Sequence, residues 1–285
     1  MKISVVIPLY NKENYIQRTI ESALKQETPA DEILVIDDGS TDHSADIVKS
    51  IKDPRIRLIQ QPNAGECASR NKGLTEARNE LVALLDADDE WKPGFLTQIQ
   101  RLHQNFPDCG IYATAFDVCT TDGIKPSKKN PMIPPEPWIG ILPNIFEIIQ
   151  HKTPFFPSSV ALTKNYCLNQ GGFPVGVKRG GDLIMWIRMA LNYPIAYSPS
   201  RQVLYHTEAD NRACNVFPSI GEPAHTIEIA DLLKNNKVPI DLVDDLREYY
   251  FLENIRKAKE LIGYGEIKTA KTLLDKAKFT RKYKK

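Results

Sequence analysis

Leu81 to Trp91 reads LVALLDADDEW, an unbroken apolar run that turns acidic at Asp86, Asp88, Asp89 and Glu90. A run this short and this apolar suits a strand buried on both faces of a parallel sheet. Its carboxylates would then emerge together at the strand's C-terminal end, where open α/β sheets bind their ligands. Three aspartates within four positions repel one another unless positive charge sits among them. The cheapest source of that charge is a hard, oxygen-seeking Mg²⁺ or Mn²⁺. An acidic turn left in solvent after a core strand is the plainer alternative.

The chain before this run alternates strictly between strand-like and helix-like segments. Ile3 to Leu9 is β-rich and is followed by Tyr10 and Asn11. Tyr15, Ile16, Ile20, Ala23 and Leu24 recur at helical spacing up to about Gln26. Ile33 to Ile36 predicts a second strand, ended by Asp37, Asp38 and Gly39, and Ser40 or Thr41 is placed to cap a helix facing inward through Ile47, Val48 and Ile51. Ile56 to Ile59, the turn Pro62 to Gly65 and a helix to about Arg78 complete the pattern. Strand and helix in alternation with short connections predict a parallel sheet with right-handed crossovers. Three strand ends would then bring Tyr10, the pair Asp37 and Asp38, and the cluster Asp86, Asp88 and Asp89 to one rim. A nucleoside-diphosphate site needs an aromatic platform, a ribose or base partner and a metal holder at one such edge.

Four stretches carry a resemblance to a known family: IPLYN at Ile7 to Asn11, VIDDGSTD at Val35 to Asp42, NAGECASRNKGL at Asn63 to Leu74 and LLDADDEW at Leu84 to Trp91. In order and spacing they resemble the family 2 glycosyltransferases of the GT-A fold, a Rossmann-like α/β architecture with a mostly parallel central sheet flanked by helices. The likeness runs from about Ile3 to His206 and weakens in its second half. It implies that Tyr10 stacks on the nucleotide base, that Asp38 holds the base or ribose with Asp37 and Pro8 shaping the pocket, and that Arg70 and Asn71 help to fix the nucleotide. It further implies that Asp86 and Asp88 form a DxD pair presenting Mn²⁺ or Mg²⁺ to the diphosphate, with Asp89 able to replace Asp88 as the direct ligand.

Beyond the acidic run, Phe95, Ile99, Leu102 and Phe106 predict a helix and Ile111 to Val118 a strand. Cys119 to Pro143 is proline-rich and is expected to be a long irregular insertion, which inside a compact domain is usually functional or mobile. In a resembling transferase it would border the acceptor site, with Trp138 as a sugar-stacking residue or a locally buried one. Ser158 to Leu162 reads as a strand, and Gly180 to Leu191 as a helix with Leu183, Trp186, Ile187, Ala190 and Leu191 on one face. Family members usually have Glu-Asp at the start of this helix and an Arg further on. Asp182 matches the Asp that serves as general base and Arg188 matches the Arg, while Gly181 stands where Glu is expected. Asp182 also suits a helix N-cap, and the two roles compete, because a capping carboxylate spends its oxygens on backbone amides. Ile195 to Tyr197 and Val203 to Tyr205 are short β-like pieces leading to His206, which is either a metal ligand or a structural histidine.

Ala209 to Pro223 is expected to be a closing loop that excludes water. Thr226 to Leu233, Leu242 to Ile262 and Ile267 to Ala277 predict helices. The chain therefore divides into a GT-A domain at 1–218 and a helical region at 219–285, whose apolar surface would pack on the catalytic domain or on a second copy. The basic end from Lys278 suits either an anionic membrane surface or a solvated terminus.

A net charge of +1 over 285 residues argues against a nucleic-acid binder. No stretch reaches the roughly 20 apolar residues of a membrane span, so a cytoplasmic protein is expected, at the inner membrane face if the tail binds lipid. Five cysteines without CxxC spacing predict reduced thiols. The function implied is transfer of a sugar from a nucleoside-diphosphate sugar, most simply a UDP-sugar, to a hydroxyl of a glycan or lipid-linked acceptor in cell-surface polysaccharide or lipopolysaccharide synthesis. The reaction would be inverting and metal-assisted. A non-catalytic nucleotide-sugar sensor or scaffold is the alternative.

Overall fold

The structure is a computed structural model describing residues 2–209, 212 and 221–278. Four strands form its parallel half: β1 (Ile3–Leu9), β2 (Glu32–Asp37), β3 (Ile56–Gln60) and β4 (Leu81–Leu84). They lie in the order β3-β2-β1-β4, with Leu9 beside Asp37 and Asp37 beside Gln60 at the C-terminal rim. Helices α1 (Ile16–Leu24), α2 (Ser44–Ser50) and α3 (Glu66–Glu76) make the crossovers. All seven residues of β1 are buried. Ile3, Val5 and Ile7 pack on one face of the sheet and Val6 on the other, as a strand covered on both sides requires. Ser4 is the polar exception, and it donates to Glu32 at 2.7 Å.

Gly73 decides how closely α3 sits. A Cβ there would lie 2.2 Å from Val6 Cγ1, so the helix backbone rests directly on a β1 side chain. The expected cap of α2 by Ser40 or Thr41 is not what forms. The helix begins later, and Asp42 accepts from the Ser44 amide at 3.0 Å, while Ser40 instead ties β2 to the first loop by accepting from Asn11 N.

The second half of the sheet is mixed. After β5 (Glu90–Trp91) and α4 (Phe95–Asn105) come β6 (Ile111–Thr120), β7 (Gly123–Pro126), β8 (Gly140–Ile141), α5 (Ile145–His151), β9 (Val160–Thr163), α6 (Lys164–Asn169), α7 (Gly181–Ala190) and β10 (Ile195–His206). β9 pairs antiparallel with both β4 and β6, and β10 lies parallel to β6. β10 is one strand rather than two pieces. Its register on β6 shifts between Ser198 and Val203, and this irregularity around Pro199 makes the sequence read as interrupted. The proline-rich insertion is also partly ordered, since β6 runs on to Thr120 and turns into the hairpin strand β7, while β8 pairs with β10. Ser158 belongs to a 3-10 turn before β9, not to the strand itself.

Helices α8 (Ala224–Lys234), α9 (Val243–Gly263) and α10 (Ile267–Lys276) follow the predicted spans closely. Ile229, Leu246 and Tyr249 share one core with Met185 and Trp186 of α7, while α10 closes a small core of its own against α9 through Leu261 and Leu273. Among the described residues no helix is long and apolar enough to cross a membrane. The described cysteines, Cys67, Cys109, Cys119 and Cys167, are unpaired and buried. Most of the expected closing loop and the tail beyond Lys278 fall outside the described residues.

Candidate active site

At the C-terminal rim of the parallel half lies a cavity of about 520 Å³. Pro8 and Tyr10 from the end of β1, Asp38 from β2, Arg70 from α3, Asp86, Asp88 and Asp89 from the turn after β4, and Asp182 from α7 all line it. Residues far apart in sequence therefore meet in one crevice, at the position where an open α/β sheet is expected to bind.

The acidic turn is held from three directions. Thr19 of α1 donates to the carbonyls of Ala87 and Asp89 at 3.0 and 2.8 Å, and Arg18 donates to the Asp88 carbonyl at 2.9 Å. Ser158 accepts from the Asp86 amide at 3.0 Å and donates to the Asp89 carboxylate at 2.5 Å. The three carboxylates then meet three different fates. Asp86 pairs with Arg70 at 2.8 Å, and Asp88 pairs with Lys12 Nζ at 2.8 Å. Asp89 is 1% exposed, and both its oxygens are taken, one by Ser158 and one by the His206 amide at 3.0 Å. Burial, reinforced by the charges of Asp86 and Asp88, pushes the Asp89 carboxyl well above its usual range. Burial also raises Asp86, to about 6, against the attraction of Arg70 and with the added repulsion of Glu66 and Asp88.

The positive charge that the aspartates demand thus comes in part from the chain itself. Lys12 escapes a motif-based reading, although the crowding of carboxylates was the signal for a cation nearby. Arg70 is 2% exposed, bonds both Glu66 and Asp86, and lies 5.5 Å from the Phe173 ring centre; its Nε is buried without a partner.

A divalent cation fits the oxygens that remain. Asp86 Oδ2 and Asp88 Oδ1 accept no hydrogen bond from the described residues, and both residues line the cavity. No group of three or more His, Cys, Asp and Glu among the described residues is arranged to hold a metal. One or two carboxylates completed by substrate phosphates is nevertheless the usual Mg²⁺ arrangement. Asp89 braces the turn from beneath. His206 does not line the cavity: its Nδ1 meets Glu208 at 2.6 Å and its Nε2 points toward Glu90 at 3.7 Å, so its ring stands on the far side of the strand from Tyr205, which does line it.

At the β1 end of the cavity, Tyr10 is 47% exposed and lines it. Asp38 is buried. It accepts from Gln61 at 2.7 Å and from the amides of Ala64 and Gly65 at 2.9 and 2.8 Å, clasping the loop before α3 onto the end of β2. Asp37 lies behind it, taken by the Ser40 amide and by Gln60.

Three residues named from the resemblance are tied to other parts of the protein and do not line the cavity. Both amide atoms of Asn71 are spent on the backbone of Phe173 at 2.7 Å, so Asn71 clips α3 to the loop before α7 and does not enter the cavity. Arg188 pairs with Glu228 at 2.7 Å and docks α8 on α7, outside the cavity lining. Trp138 is half-buried over Gly140, where a Cβ would meet its ring at 2.3 Å, and it lines neither large cavity of the protein. Each is a correct residue type at a position where packing turns the side chain elsewhere.

Asp182 is the second residue of α7. Gly180, in a left-handed conformation at φ +79°, occupies the cap position, and no side chain caps the helix. The competition between capping and base roles is thereby removed: the Asp182 carboxylate accepts no hydrogen bond from the described residues and lines the cavity. Its charge acts on Arg70, Cys67 and Tyr249. Gly181 also has a local reason. A Cβ at that position would lie 2.4 Å from Cys67 Sγ, so Cys67 fills the space a larger residue would need. Cys67, Tyr205 and Arg212 also line the cavity and Ser158 holds the acidic turn, roles that motif reading misses because they are set by neighbours distant in sequence.

Residues 4–170, more than half of the chain, match the model of glycosyl transferase family 2. The chain belongs to that family. It is 41% identical over 114 residues to an uncharacterized glycosyltransferase of Nostoc sp. (strain PCC 7120), a match covering 39% of this chain and 35% of the relative. It is 35% identical over 125 residues to the putative teichuronic acid biosynthesis glycosyltransferase TuaG of Bacillus subtilis, covering 42% of this chain and 49% of the relative. The matched stretches thus span less than two thirds of these relatives' own lengths. The crystal structure of S. aureus TarS in complex with UDP-GlcNAc superposes with a TM-score of 0.71 over 90% of this chain and 72% of that one. At 18% identity that likeness carries the GT-A fold alone.

Proposed function

We propose that this chain is an inverting, metal-assisted glycosyltransferase that moves a hexosyl group from a nucleoside-diphosphate sugar, with UDP as the nucleotide, to a hydroxyl of a glycan or lipid-linked acceptor. The observation that carries the proposal is the placement of Asp182, free of hydrogen bonds from described residues, in the same cavity as Tyr10, Arg70, Asp86 and Asp88. The polysaccharide role named for TuaG, and the UDP-GlcNAc named for the TarS crystals, are in keeping with this substrate class.

In this reading Tyr10 stacks on the base, and the loop clasped by Asp38 walls the nucleoside. Asp88 and Asp86 would hold Mn²⁺ or Mg²⁺, which would supply neutralisation of charge on the departing group. Lys12 exchanges its carboxylate partner for phosphate oxygen as the donor arrives. Asp182 takes the acceptor hydroxyl proton while that oxygen forms its bond to the anomeric carbon. The bond from that carbon to the diphosphate breaks on the opposite face, and its electron pair leaves with the diphosphate.

The decisive test is turnover of UDP-sugars by purified protein with and without a chelator. Transfer or slow donor hydrolysis that is lost on chelation is expected. UDP-sugar binding with no turnover under any acceptor would assign the protein as a sensor instead.

A further inference from the structure

A second cavity of about 520 Å³ lies beside the first. Its roof is the insertion at 127–136, its floor is Tyr197, Pro199 and Arg201 of β10, and its wall is Lys152 to Pro154. The chain leads from one to the other: Pro154 lines the second, and Phe156 and Pro157 line the first. On β10, Arg201 lines the second and Tyr205 the first.

The charge of this cavity is lopsided. Lys128, Lys129, Lys152 and Arg201 line it against a single carboxylate, Glu136. The three lysines form no ion pair with any described residue. Arg201 pairs through Nε with one Asp117 oxygen at 3.5 Å while Lys92 meets the other at 2.7 Å, so one carboxylate serves two cations, and the Arg201 Nε has no hydrogen-bond partner among the described residues. Lysines left unpaired around a recess attract an anion. The remaining wall consists of Pro131, Ile133, Pro134 and Pro135, a stiff apolar surface suited to the C–H faces of sugars. The aromatic residue here cannot serve a nucleic-acid base. Tyr197 is 3% exposed and its hydroxyl donates to the Pro154 carbonyl at 3.2 Å, so no ring is presented for stacking.

We infer that this second cavity receives the acceptor, and that the acceptor is an anionic glycan bearing phosphate or carboxylate groups, gripped by Lys128, Lys129, Lys152 and Arg201. A glycan long enough to cross the Pro154–Phe156 boundary enters the first cavity, where Asp182 stands. The inference rests on the glycosyltransferase reading and specifies its acceptor.

The test compares binding of three oligomers of equal length by calorimetry: an oligogalacturonate, a glycerol-phosphate oligomer and a neutral dextran oligomer. Each is titrated into wild type and into the triple variant Lys128→Gln, Lys129→Gln, Lys152→Gln, with UDP plus Mn²⁺ titrated into the same samples. These lysines are exposed, so the variant should fold. At least one of the two charged oligomers should bind wild type and bind the variant roughly ten-fold more weakly, with dextran silent and UDP affinity unchanged. Preference for the phosphate or the carboxylate oligomer identifies which anion the acceptor carries. Equal binding of dextran, or charged-oligomer affinity unaltered in the variant, would overturn the inference. Charged-oligomer binding by a wild type that fails to bind UDP would instead remove UDP as the donor nucleotide and leave the acceptor inference standing.

Discussion

At the β2 end of the first cavity the carboxylates of Asp37 and Asp38 are committed to Gln60, Gln61 and the backbone amides of Ser40, Ala64 and Gly65. Across the same space Asp182 at the head of α7 is committed to nothing among the described residues. The contrast separates two uses of one side chain. A carboxylate whose oxygens are filled by the protein sets the shape of a loop, and one left open has lone pairs available to a proton. Asp86 and Asp88 fall between, each giving one oxygen to a protein cation and leaving the other without a hydrogen bond from a described residue.

The contrast breaks most visibly if the open carboxylate is dispensable. Asp182→Asn should lower kcat by about 10² to 10⁴ while leaving UDP affinity close to wild type, as followed by a UDP-release assay beside calorimetry. Asp88→Ala should also stop turnover but should, unlike Asp182→Asn, abolish the Mn²⁺ dependence of UDP binding; equal donor loss in the two variants would collapse the distinction. Arg70→Met leaves Glu66 and Asp86 facing each other without their buried cation, at a cost of about 3–5 kcal/mol in urea unfolding.

A finer probe is Gly181→Ala. Alanine is ordinarily the better helix residue by about 0.5–1 kcal/mol. Here its methyl meets Cys67 Sγ, so a net loss of about 1–3 kcal/mol is expected, recovered in the double variant with Cys67→Ala.

The smallest effect is one of pH. Asp86, raised to about 6 by burial, contributes stability that is fully present below the ordinary aspartate range and is lost as pH rises through about 6. The Tm of Asp86→Asn relative to wild type should therefore improve between about pH 4 and pH 7, whatever its starting offset. A flat difference would contradict the shift.

How legible the molecule is from its sequence follows the same division. The span of β1, the polar strand ends, and helices α9 and α10 are written in local periodicity, and burial on both faces leaves little room for another register. The gathering of Tyr10, Asp38, Asp86, Asp88 and Asp182 follows from the order of the strands and the helix that α7 begins. Asn71, Arg188 and His206 are different, because the rotation of a side chain is fixed by neighbours distant in sequence: Phe173, Glu228 and Glu208 or Glu90. Lys12 is lost for a related reason, since a lysine after a turn gives no sign that it folds back 76 positions away to Asp88.

The contact between Gly73 and Val6 makes the helix carrying Arg70 a rider on the first strand, with no soft layer between them. Any tilt of that helix must be transmitted to β1 and so to Tyr10 at its tip. The Tyr10 ring and the Arg70 guanidinium therefore drift together, and whatever enters the cavity meets a gauge of fixed width in place of two jaws that must each find it.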